Sequence, residues 1–568
     1  MKNLKTTILL FLIGVYAPSF AWVGMSTPPL HVEGRFLKDT CGNDVVLQGG
    51  WMQPTETWFN GGGGFYNNPT DWTDPDNVAG MLDYLNEAAN VMSDTTPRYG
   101  REHGWYASFV RMNTDAIGGW TQEDGLVNQE QFDGWIENFL VPYANHLESR
   151  GLYFVLSATG PINTPNNGEQ NAGVTEQTRL RTFWSTVADA PGVKNANNIM
   201  FELMNEPVEI ESSPGNGDWG MSAPVYYEAF RDWIQPVIDD VRETGAENVI
   251  WVPTLEWQGS PQQFLEYPFT GSNCGIAVHY YPAYGACFDN VSCHNDLWNN
   301  NYDPVAQEWP LIITENFWFP ENDGLVAGST ENYGNTLKAN MEASGNISYM
   351  IGFLSDLLEL GEARPEDAPL STKEGSQEAF SWFYEDFIAY CDTTPVTPYI
   401  QVNDANWEQT SSVSIGSGDQ VRFGPQPICG GTWSWDGCET SGGNREQTIY
   451  PTDSCSTVTT YTNRCGIQST QEFIVTDTSV VTSSDQLIPS NDHDVEVYPI
   501  PAANGNFLID VSLTNNEHFN VRIYTTEGNK VYETDILSSG THEMNTGLPQ
   551  GMYLLNINGT TTRKLYIE

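Results

Sequence analysis

The sequence predicts an α/β chain: a (β/α)8 TIM barrel followed by two small β-sandwich domains. Three observations carry that expectation. Residues 22–393 alternate apolar, strand-like runs with amphipathic helical stretches, eight times over. At about Thr394 the texture shifts to short alternating strands rich in Thr, Ser and Gly. A polar linker over 478–494 then leads into a third, β-rich segment, 495–568.

Taken in order, the first element is not part of the fold. MKNLKTTILLFLIGVYAPSFAW has Lys2 and Lys5, a short apolar run, and small residues at Ser19 and Ala21, so residues 1–21 read as a signal peptide. The eight strands are expected at 45–49, 108–112, 153–158, 199–205, 248–253, 275–279, 311–314 and 347–352. The clearest helix covers 129–150, where Phe132, Trp135, Ile136, Phe139, Leu140, Tyr143 and Leu147 recur three or four apart. Pro142 is expected to kink it. A doubly wound sheet is the competing topology, but no Gly-rich phosphate turn follows the first strand.

The segment 395–477 contains GTWSWDG, which places Trp433 and Trp435 on one face of a strand. They are either an aromatic platform for a glycan or the filling of an immunoglobulin-like spacer. Nine cysteines suit an oxidising compartment. Cys41, Cys274, Cys287, Cys293 and Cys391 precede residue 395, and Cys429, Cys438, Cys455 and Cys465 follow it. Disulfides are expected rather than a zinc site. The odd total leaves at least one thiol free, and the connectivity stays open.

Asp and Glu total 73 against 23 Lys and Arg, a formal net charge of −50. A field of that sign disfavours nucleic acid, anionic membranes and polyanionic glycans. In a salty medium the self-repulsion is screened. Aromatics make up 12% of the chain, with 19 Trp, enough to fill a core and leave flat surfaces for sugar rings. Trp51, Trp58, Trp120, Trp219, Trp257 and Trp318 sit in or beside long loops after strands and are candidates to line a cleft.

The chemistry centres on FELMNEP. Glu206 closes a strand, and barrel active sites lie at the C-terminal ends of strands. Three strands later PLIITENFWF repeats the arrangement with Glu315. Two carboxylates facing each other at about 5–5.5 Å are equipment for retaining glycoside hydrolysis. GIAVHYYPAY puts His279 and Tyr281 on one face, where they can hydrogen-bond a nucleophile. Arg111, expected to close the strand within SFVRMNTDA, can lower a neighbouring carboxylate's pKa. Asn205 is placed to bond a sugar 2-hydroxyl. Glu202 is internal to its strand and needs a partner the sequence does not name.

In these residues the chain resembles glycoside hydrolase family 5, the cellulase and mannanase family. Arg111, the Asn205-Glu206-Pro207 triplet, the His279-x-Tyr281 pair and Glu315 fall in the family's order, and the resemblance covers roughly 28–392. It implies Glu206 as acid/base and Glu315 as nucleophile, with no cofactor or metal. FELMNEP is more similar to cellulase members than to mannanases. A β-1,4-glucan is therefore the expected substrate, with a β-mannanase and an idle glycan-binding protein as alternatives. Two departures stand out. Members usually carry a histidine at the end of the third strand, where this chain has Ser157 and Thr159. They also place a Trp on the eighth strand, where Phe353 is the nearest aromatic. The segment 495–568 resembles the type A sorting domain of type IX secretion, in VEVYPIPAANGNFLI, VRIYTTEGNKVYE, GLPQGMYLLNI and TTRKLYIE. That implies the type IX machinery as a partner and a secreted or outer-surface location. The expected oligomeric state is a monomer.

Overall fold

The computed structural model describes residues 27–52, 67, 69–114, 121–122, 125–126, 128–159, 171–361, 363–390, 395–428, 430–463 and 466–478. In a separate unit it describes 495–503, 506–511, 519–525, 529–536, 540–557 and 561–567. The expected signal peptide, nearly all of the linker, the glycine run 61–64, Trp58 and Trp120 lie outside the described residues.

Eight parallel strands close a barrel in sequence order: β1 Gln48–Trp51, β2 Phe109–Thr114, β3 Tyr153–Ala158, β4 Ile199–Glu202, β5 Ile250–Val252, β6 Cys274–His279, β7 Leu311–Glu315 and β8 Ile347–Phe353. All eight expected strands are present, with two informative shifts. The first begins at Gln48, because Val45 and Leu47 are used differently: with Leu30 and Leu37 of an antiparallel hairpin they join the apolar filling of the barrel. The fourth ends at Glu202 rather than Asn205. Beyond it Glu206 takes a left-handed φ of 46°, which no strand accommodates.

Alternation along the strands separates two cores. Phe109, Tyr153, Val155, Met200, Trp251, Ala277, Ile312 and Met350 point inward. Residues of opposite parity, such as Val110, Phe154, Phe201 and Ile313, meet the surrounding helices. The helix predicted over 129–150 is continuous to Ser149, but not by a simple kink at Pro142. A π-helical turn, Ile136–Leu140, precedes the proline, which then sits in the first turn of the following helix, where its missing N–H matters least. Among the described residues no helix is long and apolar enough to cross a membrane.

Residues 400–477 form two facing sheets. One has β9 Ile400–Val402, β11 Val421–Phe423 and β13 Gln447–Ile449; the other has β10 Ser412–Ile415, β12 Thr432–Gly437, β14 Cys455–Thr462 and β15 Gln468–Asp477. Trp433 and Trp435 both turn inward and are 8% exposed. Trp435 lies against Phe423 and Phe473, and Trp433 against Tyr461. Neither offers a free ring face, so of the two readings these tryptophans fill the sandwich rather than form a glycan platform. Disulfides join Cys287 to Cys293 and Cys438 to Cys455, Cys41 is also disulfide-bonded, and the Cys274 thiol is free. The last unit, by itself, is a seven-stranded sheet over Phe507, Ile509, Val521, Ile523, Leu555 and Leu565.

Candidate active site

The site begins with a buried cation. Arg111 faces inward on β2 and is fully buried, so its charge needs partners. Glu202, inward on β4, supplies them: Nε donates at 2.6 Å and Nη2 at 3.0 Å to its two oxygens. Thr314 donates to Glu202 at 2.8 Å and Gln258 at 3.1 Å. Burial would lift the Glu202 carboxyl, but Arg111's charge and hydrogen bonds hold it below its ordinary value. The partner that Glu202 required is therefore Arg111, and the pair forms the floor of the site. Arg111 extends from it to Glu315 Oε1 at 3.0 Å, Asn205 Oδ1 at 2.7 Å and Ser157 Oγ at 3.3 Å.

Glu206 and Glu315 face each other above this floor. His279 lies between them, its Nδ1 2.9 Å from Glu206 Oε1 and 3.5 Å from Glu315 Oε2. One oxygen of each carboxylate and a His279 ring nitrogen fall within 4.8 Å of one another. Such a trio has the donor types of a metal site. Arg111, 3.0 Å from Glu315, already puts a positive charge against it, which disfavours a cation there. Tyr281 donates to Glu315 Oε2 at 2.8 Å, and burial beside that carboxylate keeps its phenol protonated.

Burial separates the titrations. The Glu206 carboxyl is pushed up to about 7 by desolvation, against the pull of Arg111. Desolvation pushes His279 down to about 4, so the imidazole is neutral in the working range. For Glu315, burial lifts the carboxyl above its ordinary value, while His279, Arg111 and the Tyr281 hydrogen bond oppose that lift. The lowering expected from Arg111 is thus present but does not win.

Local strain holds the constellation. Glu256, Trp257 and Gln258 have φ of 59°, 54° and 59°, three successive left-handed residues at about 1–2 kcal/mol each. Their turn brings Gln258 back into the barrel, where Oε1 accepts the Glu206 N–H at 2.8 Å and Nε2 reaches Glu202. The same turn leaves Trp257 37% exposed.

Trp51 is 4% exposed, and its ring stacks on Phe353 at 4.0 Å between centroids with Arg111 4.7 Å over it. A register shift between Met350 and Phe353 brings Phe353 opposite Trp51. Phe353 and Tyr281 line a cavity of about 230 Å³ beside the carboxylates. Trp318 is corrected: it is fully buried against Tyr333 and Trp382, donates to Thr330 at 2.9 Å, and has no ring face for a sugar. Trp219 sits half-buried on a two-residue strand. A larger hollow of about 690 Å³ lies on the outside of the barrel, lined by Ile136, Val141, Thr186 and Ala190, away from this chemistry.

Sequence reasoning missed Gln258, Thr314 and Asn113. The first two are ordinary polar residues whose role exists only through the fold. Asn113 was within reach: it lies two residues beyond Arg111 on one strand, hence on the same face. It is 1% exposed, and among the described residues neither amide atom has a hydrogen-bond partner. Thr159 Oγ1, Trp51 Nε1 and His279 Nε2 are in the same condition.

Residues 103–344 match the family model for cellulase, glycosyl hydrolase family 5, and residues 496–568 match that for the secretion system C-terminal sorting domain. Among curated proteins, cellulase CelDZ1 from Thermoanaerobacterium sp. is 27% identical over 125 residues, 22% of this chain. That match spans 30% of the relative's length. Among solved structures, the native β-glucanase SdGluc5_26A from Saccharophagus degradans is 17% identical at a TM-score of 0.45, over 66% of this chain and 99% of that one. The catalytic domain of a mannanase from Streptomyces sp. SirexAA-E is 15% identical at 0.39, over 66% and 94%. The matched span carries Arg111, Glu202, Glu206, His279 and Glu315. It makes residues 103–344 of the barrel a family 5 glycosyl hydrolase domain, in a chain that also carries a type IX secretion sorting domain directing it to secretion or the cell surface.

Proposed function

We propose that the protein is a retaining endo-β-glycanase that hydrolyses a neutral β-1,4-glucan by double displacement. The observation that carries this reading is the paired carboxylates, with oxygens of Glu206 and Glu315 within 4.8 Å. That spacing suits direct attack by one of them, whereas inverting pairs stand about 6.5–9.5 Å apart to admit a water. Glu206, pushed up to about 7, holds a proton at neutral pH and gives it to the leaving glycosidic oxygen. Glu315, held by Arg111 and Tyr281, attacks the anomeric carbon and forms a covalent ester. Glu206, now ionised, takes a proton from water, whose oxygen displaces Glu315 and releases the sugar with retained configuration.

Asn205 is oriented by its bond from Arg111, which leaves its amide N–H free to serve the 2-hydroxyl. Asn113, inward on β2, and Thr159, just past the end of the adjacent β3, read neighbouring hydroxyls in place of the family's histidine. Phe353, half-buried at the cavity wall and backed by the buried Trp51, provides the aromatic surface that the missing Trp would supply. In this reading the signal peptide is 1–21, the catalytic domain 22–393, the small sandwich 395–477, the linker 478–494 and the sorting domain 495–568, in a monomeric enzyme.

Product analysis on carboxymethylcellulose, mixed-linkage glucan, xyloglucan, glucomannan, galactomannan and xylan tests this reading. Short cello-oligosaccharides from the glucans, lost in Glu315→Gln, are the expected result. Products from mannans alone would replace glucan by mannan as the substrate. No product from folded protein on any of the six would overturn the glucanase reading.

A further inference from the structure

The small sandwich, whose two inward tryptophans are spent in its interior, carries a different aromatic on its outer face. Val421 and Phe423 of β11 point into the core, so Arg422 and Gly424 point outward. Trp407 lies over them, with the Arg422 guanidinium 5.4 Å from its ring centroid. Gly424 makes room for it, since a Cβ there would meet the indole at 2.5 Å. Trp407 is nevertheless 37% exposed. One face is thus bedded on the sheet while the ring remains open to solvent, the condition for stacking on a sugar.

Polar groups around it are already oriented. Arg422 donates to Gln401 at 2.8 Å and to Glu446 at 2.8 Å, and Arg445 bonds both Glu446 and the Pro425 carbonyl. Arg445 and Glu446, together with Tyr399, Trp407 and Gln426, border a hollow of about 300 Å³. A carboxylate and guanidinium fixed against each other present acceptor and donor side by side, which matches adjacent sugar hydroxyls at little further ordering cost.

We propose that this face is a second glycan-binding site, where Trp407 stacks on one ring of a neutral β-glucan chain and Gln426, Arg445 and Glu446 take its hydroxyls. The choice of a glucan rests on the proposed activity of the barrel in the same polypeptide. The choice of a neutral chain rests on the net charge of −50, which opposes polyanions at long range. The site tethers the enzyme to polymer without contributing to the chemical step.

Affinity electrophoresis of the full chain through gels containing mixed-linkage β-glucan tests it, together with initial rates on a short soluble cello-oligosaccharide. Trp407→Ala should bind the polymer about tenfold more weakly, while its rate on the short substrate and its melting temperature stay those of the parent. Trp407→Phe, which keeps a ring, should retain most of the retardation, and Arg445→Ala gives an independent loss if Trp407→Ala does not fold. Undiminished retardation of Trp407→Ala or Arg445→Ala overturns the proposal. Retardation by galactomannan or xylan but not by glucan overturns the glucan assignment. If the short substrate is not cleaved while Trp407-dependent retardation persists, the activity reading fails and the binding site stands.

Discussion

Glu206 combines two unfavourable conditions, a φ of 46° and a carboxyl pushed up to about 7 by burial. Because its folded-state pKa lies above the ordinary 4.5, the folded state binds the proton more tightly. Its contribution to stability is therefore present below pH 4.5 and is lost as pH rises through about 7. Thermal melts should show Glu206→Gln more stable than the parent by a few degrees at pH 8 and little different at pH 4. The same proton sets the alkaline limb of activity: kcat/KM should fall above about pH 7, and in Glu206→Gln, assayed with an activated aryl leaving group, that limb should vanish. Asn113 is the other residue to test. An unpaired buried amide costs about 1–3 kcal/mol, which a substrate hydroxyl relieves. Asn113→Ala should lower kcat/KM by about tenfold or more and raise thermal stability slightly. Unchanged kinetics would remove Asn113 from substrate recognition.

At the scale of elements, the turn after β4 presents Glu206, the end of β7 presents Glu315, and Glu202 of β4 with Gln258 of the loop after β5 braces them through Arg111 and the Glu206 N–H. Removing Glu202 leaves Arg111 buried without its bidentate partner, so Glu202→Ala should destabilise the barrel by about 3–5 kcal/mol in chemical denaturation and abolish activity. Glu202→Gln, whose remaining oxygen can still accept from Arg111 Nη2, Thr314 and Gln258, should lose less stability. This is also where sequence and structure part company. The strands were legible because apolar runs with period-two alternation recur between helical patterns; Glu206, His279, Tyr281 and Glu315 were legible because strand ends face one mouth, and Arg111 because a charge inside an apolar strand demands a partner, although β2 runs three residues past it. The left-handed run Glu256–Trp257–Gln258 was not: three non-glycine residues there contradict local preference, and only the bonds that Gln258 makes to Glu206 and Glu202 explain it. Trp318 was misplaced for the converse reason. An aromatic just past a catalytic strand can turn to either side, and the small Gly334 offers it a bed away from the mouth.

For the whole molecule the governing quantity is the net charge of −50. The Debye length shrinks from about 30 Å at 0.01 M salt to about 3 Å at 1 M, so repulsion among surface carboxylates fades over that range. The melting temperature should rise with sodium chloride between those limits, whereas the fully buried Arg111–Glu202 pair, shielded from ions, should make the active-site pKa values nearly salt-independent. A flat or falling melting curve would mean that surface charge is not what limits stability. A further consequence lies in Cys274, which opens β6. Its thiol is 1% exposed, and burial pushes its pKa up to about 11. A thiol so placed is nearly inert to alkylating reagents until its strand detaches. The uptake of iodoacetamide at this single position therefore clocks how often the barrel opens, reporting on native-state breathing with no engineered label.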